Sequence, residues 1–305
     1  MKDGFGREID YLRLSITPRC NLRCVYCMPD GCKEIKDTLS LADIRSICKT
    51  AVRAGIRHLR ITGGEPLMRS DCAKIVSAAK EEGARHVTIT TNGTLLKAYA
   101  KDIVNAGVDS VNISLDSALK ERYEHITGHD LIDSVNYGID ILYNLNIPIK
   151  LNCVVLKGTD KSDIISLLKY PLDRNIDLRF IELMPIGTGK EYSPLSNNTT
   201  MSIINDIYPL SLSGYRSSGP AVYYESNMLK GKIGFISAMS GCFCKNCNRI
   251  RVTYDGFLKP CLCYGYGTDL KPFMNDHEIE QFILTYGCDI LRFCRMTAGG
   301  SEAGD

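Results

Sequence analysis

Three cysteines stand in the run Cys20-Asn-Leu-Arg-Cys24-Val-Tyr-Cys27. A structural zinc ion takes four thiolate or imidazole ligands in a tetrahedron, and this stretch supplies no clear fourth. Three thiolates suit a four-iron, four-sulfur cluster that leaves one iron without a protein ligand, and an open iron can take a small molecule. The cluster is then a reagent rather than a staple. The plainer reading of the same residues is a loop of buried thiols with no chemistry.

A second group, Cys244-Lys-Asn-Cys247, is followed after thirteen residues by Cys261. Cys242 and Cys263 lie close by and could complete a four-ligand zinc or iron site, so a structural ribbon stays open as a reading. Between Cys247 and Cys261 runs Asn248-Arg249-Ile250-Arg251-Val252. Alternate residues of a strand face one side, which would put Arg249 and Arg251 on a common surface. Two planar guanidiniums beside a metal group suit a polyphosphate. A solvated basic strand face is the plain alternative.

The elements that must position these groups are legible upstream. Strand-like runs rich in β-branched or apolar residues occur at Tyr11 to Thr17, His58 to Thr62, His86 to Thr91, Ser110 to Leu115, Ile149 to Leu156 and Leu178 to Met184. Helical stretches lie between them. The first puts Leu41, Ile44, Ile47, Cys48, Ala51 and Val52 on one face, with Ser40 as N-cap and Gly55 beyond the end; the second starts at Asp71 as capping residue. Alternation of this kind implies an α/β fold with parallel strands, right-handed crossovers and helices outside a curled sheet. After Met184 the polar, turn-prone Pro185 to Lys190 and Ser193 to Thr200 read as a linker. Beyond it, Ala221 to Tyr224 and Ile233 to Ser237 suggest antiparallel pairing, with a hairpin around Asp255-Gly256.

Composition bounds the answer. At 305 residues, with 44% hydrophobic and 24% charged residues, the chain has the make-up of a folded enzyme-sized protein. A net charge of only +2 gives no support to bulk nucleic-acid binding. Met1 to Asp10 lacks a signal-peptide core, and no apolar run approaches the roughly 18 residues of a membrane span. A reducing cytoplasm is the expected location, where fourteen cysteines point to metal or redox chemistry rather than disulfides. Cys48, Cys72, Cys153, Cys288 and Cys294 read as small core residues.

Several segments together resemble one family: Leu12-Arg-Leu-Ser-Ile-Thr, Ile61-Thr-Gly-Gly-Glu-Pro-Leu, Thr90-Thr-Asn-Gly, Asn112-Ile-Ser-Leu-Asp, Phe180-Ile-Glu-Leu-Met-Pro, and the second cysteine group with its Arg-Ile-Arg. They resemble the GTP 3′,8-cyclases, the molybdenum cofactor biosynthesis protein A family of the radical S-adenosylmethionine (SAM) superfamily. The resemblance spans nearly the whole chain. It implies a partial (β/α)6 barrel over residues 1–190 and a C-terminal region over 191–305 that carries a second cluster and closes the barrel.

It also implies two [4Fe-4S] clusters, SAM as cofactor and GTP as substrate. In the family, cleaved SAM yields a 5′-deoxyadenosyl radical that takes the ribose 3′ hydrogen, and the sugar carbon closes onto guanine C8. The product is (8S)-3′,8-cyclo-7,8-dihydroguanosine 5′-triphosphate. By resemblance, Cys20, Cys24 and Cys27 hold the SAM cluster, and Cys244, Cys247 and Cys261 hold a substrate cluster. Tyr26, Gly64, Ser114 and Met184 match SAM-contacting positions; Arg13, Arg60, Thr90, Lys157, Arg249 and Arg251 match GTP-contacting ones, with Arg249 and Arg251 counted as catalytic beside the first three cysteines. An electron donor, a downstream cyclic pyranopterin monophosphate synthase and a homodimer are implied, with neither nucleic acid nor membrane as partner. Two departures stand out. His58 occupies a position where the family has lysine, and Gly299-Gly300, which ends the chain in the family, is followed by Ser301 to Asp305.

Overall fold

Strands and helices alternate from Tyr11 to Glu182 in the computed structural model, which describes residues 1–3, 6–27, 36–241, 243–263 and 267–273. The order is β1 (Tyr11–Ser15), α1 (Leu41–Arg53), β2 (His58–Thr62), α2 (Cys72–Glu81), β3 (His86–Thr91), α3 (Leu96–Asn105), β4 (Ser110–Ser114), α4 (Lys120–Thr127), α5 (Ile132–Asn144), β5 (Ile149–Val155), α6 (Lys161–Leu167), α7 (Lys169–Asp173) and β6 (Asp177–Glu182). There follow α8 (Asn197–Asn205), β7 (Ser211–Leu212), β8 (Val222–Glu225), β9 (Ile233–Ile236), β10 (Arg249–Val252), β11 (Phe257–Lys259) and β12 (Thr268–Asp269).

All twelve strands of the described residues join one sheet in the order β12-β11-β10-β1-β2-β3-β4-β5-β6-β9-β8-β7. The six expected strands form its parallel centre. Chain beyond β6 extends it at both edges: β10 pairs parallel with β1, and β9 pairs parallel with β6. Antiparallel strands finish each side, including the hairpin at Gly256, whose φ of 84° suits glycine. The described strands beyond β6 therefore flank the parallel centre on both sides.

Strand alternation separates two environments. Leu12, Leu14, Leu59, Ile61, Val87, Ile89, Val111, Ile113 and Leu151 are at most 1% exposed and pack in the core shared with the helices. Their neighbours in sequence face the other way, and in register they set Arg13 beside Arg60, Arg60 beside Thr88, Asn112 beside Lys150, and Asn152 beside Arg179. A parallel barrel ordinarily fills its interior with apolar layers. This interior is polar, a lining suited to a ligand rather than to apolar side-chain layers.

Three local expectations differ from what forms. Ser40 caps α1 as expected, in a reciprocal capping box with Asp43. Asp71 does not cap α2 with its side chain; both its oxygens are taken by Arg69 at 2.7 and 2.9 Å. The polar stretch from Ser193 is only partly linker, because Ser196 caps α8, which runs through Thr200 to Asn205. β6 stops at Glu182, two residues short of Met184, since the Glu182 carboxylate turns to bind the Asn197, Met239 and Ser240 amides.

Candidate functional site

The first cysteine group lies in the loop that leaves the C-terminal end of β1. A second loop, Gly63-Gly64-Glu65 after β2, is stitched to it: Gly64 N–H donates to Thr17 carbonyl oxygen at 2.8 Å, and Glu65 N–H to that of Arg19 at 2.7 Å. A Cβ on Gly64 would stand 2.3 Å from the Arg19 carbonyl oxygen, so the chain itself demands glycine here. Close approach of protein backbone, and not only of a ligand, explains this residue. Gly64→Ala is expected to cost about 1–3 kcal/mol by overpacking, read by chemical denaturation, and to loosen the cysteine loop.

Glu65 is fully buried and ties that turn to the end of β3. Its carboxylate accepts from Thr91 Oγ1 at 2.7 Å, Asn92 N–H at 2.6 Å and Leu67 N–H at 3.0 Å. Burial pushes its carboxyl up to about 7, while those donors pull the other way. A carboxyl raised from 4.5 in this way adds stability that is complete below the unfolded value and lost as pH rises through about 7. Thermal melts across that window should show a pH-dependent component that Glu65→Gln lacks.

Tyr26 sits between two of the cysteines and donates its hydroxyl to Asp116 at 2.6 Å; Asp116 also accepts from Val154 N–H at 2.8 Å. Asp116 closes the Asn112-Ile-Ser-Leu-Asp segment, and burial holds its carboxyl up at about 6. Burial, then Asp116 and the neighbouring thiols Cys27 and Cys20, push the Cys24 thiol far above its usual value. The three thiols thus converge on one another in a setting where thiolates need a cationic group to hold them. A four-iron cluster is such a group, and the residues fit it. Among the described residues no three Cys, His, Asp or Glu side chains gather as ligands of a single ion do.

Around this loop stand the other residues matched to SAM. Ser114 ends β4 and Met184 follows β6, both half-buried. Met184 and Tyr26 are brought together at Gly189: a Cβ there would lie 2.7 Å from the Met184 carbonyl oxygen and 3.7 Å from that of Tyr26. Tyr26, Gly64, Ser114 and Met184 therefore ring the C-terminal ends of the strands.

The arginines occupy the middle of the sheet. Arg13 pairs with Arg60 on one side and Arg251 on the other. Burial, then Arg60, Arg251 and, more weakly, Arg249, push the Arg13 guanidinium down to about 9; burial and Arg179 and Arg249 push Arg60 to about 10. Both remain cationic at neutral pH. Arg60 and Arg249 pack over the Tyr11 ring at 5.3 and 5.6 Å. The Nε atoms of Arg60, Arg179 and Arg251, Thr90 Oγ1 and Asn152 Oδ1 are buried without a hydrogen-bond partner. Stranded donors and like charges packed together are unfavourable unless an anion arrives.

These arginines lie between the two cysteine groups. Cys247 precedes β10 and Cys261 follows β11, and their thiols, with Cys263, face Arg251, whose guanidinium burial and Arg249 push down. Cys244 opens the turn to Cys247, and its carbonyl accepts from Arg7. Because β10 runs parallel to β1, Cys247 lies at the opposite end of the strands from Cys20. The positions matched by resemblance thus span the length of the barrel interior, not only its C-terminal rim. Cys48, Cys72 and Cys153 are buried core thiols; Cys242, Cys288, Cys294 and Gly299-Gly300 lie outside the described residues.

A pocket at the N-terminal end of the strands is lined by Tyr11, His58, Arg60, His86, Lys150, Arg179 and the Ser217-Ser218-Gly219 loop, among others. The His58 ring stacks between those of Tyr11 and His86 at 5.8 and 5.2 Å. Burial, against the pull of Asp10, lowers the His58 value, so at neutral pH it is mostly uncharged and a weaker anion partner than lysine. Lys157 is elsewhere. It is exposed on the loop after β5, and its backbone N–H donates to the Ser193 carbonyl oxygen. The lysine of this pocket is Lys150, held at 3.1 Å by Tyr215 hydroxyl. Lys150→Ala should raise KM for a polyanionic substrate roughly 10- to 100-fold, the loss of one charged hydrogen bond, and Lys157→Ala should leave it within about twofold; steady-state kinetics of both variants checks this.

Comparison with known proteins agrees with this geometry. Residues 14–170 match the Radical SAM superfamily, and residues 176–287 match Molybdenum Cofactor Synthesis C. The GTP 3′,8-cyclase of Clostridium perfringens (strain 13 / Type A) is 41% identical over 295 residues, covering 93% of this chain and 91% of that protein. The chain belongs to the GTP 3′,8-cyclase family. A GTP 3′,8-cyclase of Thermodesulfovibrio yellowstonii is 42% identical over 297 residues, covering 93% and 92%. Among solved structures, Streptococcus suis SuiB bound to S-adenosylmethionine superposes with a TM-score of 0.67 over 92% of this chain and 68% of its own, at 16% identity, a likeness of fold. Family membership brings SAM and an iron-sulfur cluster as cofactors. Among the described residues no helix is long and apolar enough to cross a membrane.

Proposed function

We propose that this chain converts GTP into (8S)-3′,8-cyclo-7,8-dihydroguanosine 5′-triphosphate, an early step of molybdenum cofactor biosynthesis. The observation that carries the reading is the set of inward-facing cations, Arg179 buried and Arg13, Arg60 and Arg251 half-buried, none of them paired with a carboxylate among the described residues, between two groups of three cysteines. Triphosphate oxygens would take the stranded guanidinium and Lys150 donors and relieve their mutual repulsion. Thr90 Oγ1, buried without a partner, faces the same interior and would orient the nucleoside.

Cys20, Cys24 and Cys27 would hold the first [4Fe-4S] cluster, which when bound supplies the electron that cleaves SAM. Tyr26, Gly64, Ser114 and Met184 would seat SAM over that loop. Cys244, Cys247 and Cys261 would hold a second [4Fe-4S] cluster next to Arg249 and Arg251, with one position left for the guanine. In this division of labour residues 1–190 would be the barrel and residues 191–305 the region that carries the second cluster. A reducing cytoplasm, an electron donor, a homodimer and a downstream cyclic pyranopterin monophosphate synthase complete the reading.

The test is an anaerobic assay of iron- and sulfide-reconstituted, reduced protein with SAM, with and without GTP. GTP-dependent 5′-deoxyadenosine together with an isomer of GTP supports the reading. SAM cleavage indifferent to GTP removes GTP as the substrate.

A further inference from the structure

The turn Thr91-Asn92-Gly93 after β3 holds a side chain that the reaction as described does not use. Asn92 is 8% exposed, and its backbone N–H donates to Glu65 at 2.6 Å. Its Oδ1 accepts from both the N–H and the hydroxyl of Thr94, at 3.0 and 2.7 Å. Its amide nitrogen faces two acceptors, Asn21 Oδ1 at 2.8 Å and Cys20 Sγ at 3.9 Å. Asn21 is locked in turn by donating its own amide to Thr94 Oγ1 at 2.9 Å.

This closed circuit fixes which way the Asn92 amide points. Flipping it would set Oδ1 against Asn21 Oδ1 and the cysteine sulfur, and the amide hydrogens against the Thr94 N–H. One amide hydrogen is therefore committed to Asn21 and the other to Cys20. The Leu22 backbone N–H, 3.5 Å from the same sulfur, is a second donor.

We propose that Asn92 tunes the reduction potential of the first cluster through its hydrogen bond to the Cys20 thiolate. The inference rests on the reading that Cys20 is a ligand of that cluster. A donor aimed at a cluster thiolate stabilises negative charge, and reduction adds one negative charge, so the donor favours the reduced state and raises the potential. Glu65 and Thr94 act behind it by fixing the amide. Asn92 is thus a positioning and tuning residue, not one that touches substrate.

The experiment is an EPR-monitored redox titration of the reconstituted full chain, following the signal that changes when SAM is added. Asn92→Asp keeps the shape and the Thr94 contacts but replaces the donor with a negative charge; Asn92→Ala removes the donor without adding charge. Both should hold as much iron as wild type, with potentials shifted negative and the larger shift in Asn92→Asp. Unmoved potentials in both variants overturn the proposal. Should neither variant hold iron, wild-type protein carrying 15N-asparagine decides: a 15N hyperfine coupling to the reduced cluster supports the proposal, and its absence overturns it. A wild-type chain with no SAM-responsive cluster would overturn the ligand assignment as well as the proposal, a failure distinct from unmoved potentials on an intact cluster.

Discussion

Replacing Arg251 with alanine is expected to lower kcat/KM for GTP by roughly 10²- to 10³-fold, the loss of a desolvated charged partner. The same variant should hold its iron and still respond to SAM. Arg251 stands in register with Arg13 and faces the Cys247, Cys261 and Cys263 thiols, with Arg249 as a like-charged neighbour. No carboxylate is paired with it among the described residues, so the ligand-free protein should lose no thermal stability from the substitution. Function and stability would then part company, as they do where charge is held in readiness for a ligand. Loss of the first cluster's signal in this variant would contradict the placement of Arg251 at the substrate.

Replacing Cys24 with serine is expected to remove the first cluster and abolish 5′-deoxyadenosine formation, leaving roughly half of the iron on the second set of thiolates. Cys24 is the thiol whose value burial, Asp116 and its two cysteine neighbours raise. Such a site cannot keep a thiolate without a cation, and Cys153, the buried thiol beside Asp116, is engaged with the Asp116 carbonyl oxygen by a 3.4 Å hydrogen bond. Iron and sulfide analysis beside the SAM-cleavage assay reads both halves of the expectation. Iron content equal to wild type, or persisting SAM cleavage, would move the reactive cluster away from this loop.

Much of this was legible in the chain because the carriers are periodic or rigidly spaced. Strand alternation gave the parallel centre, and the same alternation applied to Arg249-Ile250-Arg251 put both arginines on one face, as β10 has them. Applied to Ile149-Lys-Leu-Asn and Asp177-Leu-Arg, it also marks Lys150, Asn152 and Arg179 as facing inward, beyond the residues matched by motif. Lys157 enters through the resemblance alone; it stands beside Gly158, where the backbone leaves the sheet and the residue is exposed.

What spacing could not carry is contact between segments far apart in sequence. Glu65 meeting Thr91 and Asn92, Tyr26 meeting Asp116, and Asn92 meeting Cys20 depend on how four strand-end loops converge. The glycine of the Gly63-Gly64 turn was readable as a close approach, but which backbone approaches it was not; the Pro18-Arg19 segment fills that place. Pairing of β9 and β10 to opposite edges of the sheet is likewise invisible from short strands late in the chain.

The measurement that tests the central claim most directly uses GTP deuterated at the ribose 3′ carbon in a single anaerobic turnover with SAM. Deuterium recovered in 5′-deoxyadenosine, together with a nucleotide product that has lost it from C3′, is the result expected of a site that aligns SAM on the first cysteine loop with GTP held by Arg13, Arg60 and Arg251. Unlabelled 5′-deoxyadenosine beside GTP that keeps its deuterium would contradict that alignment.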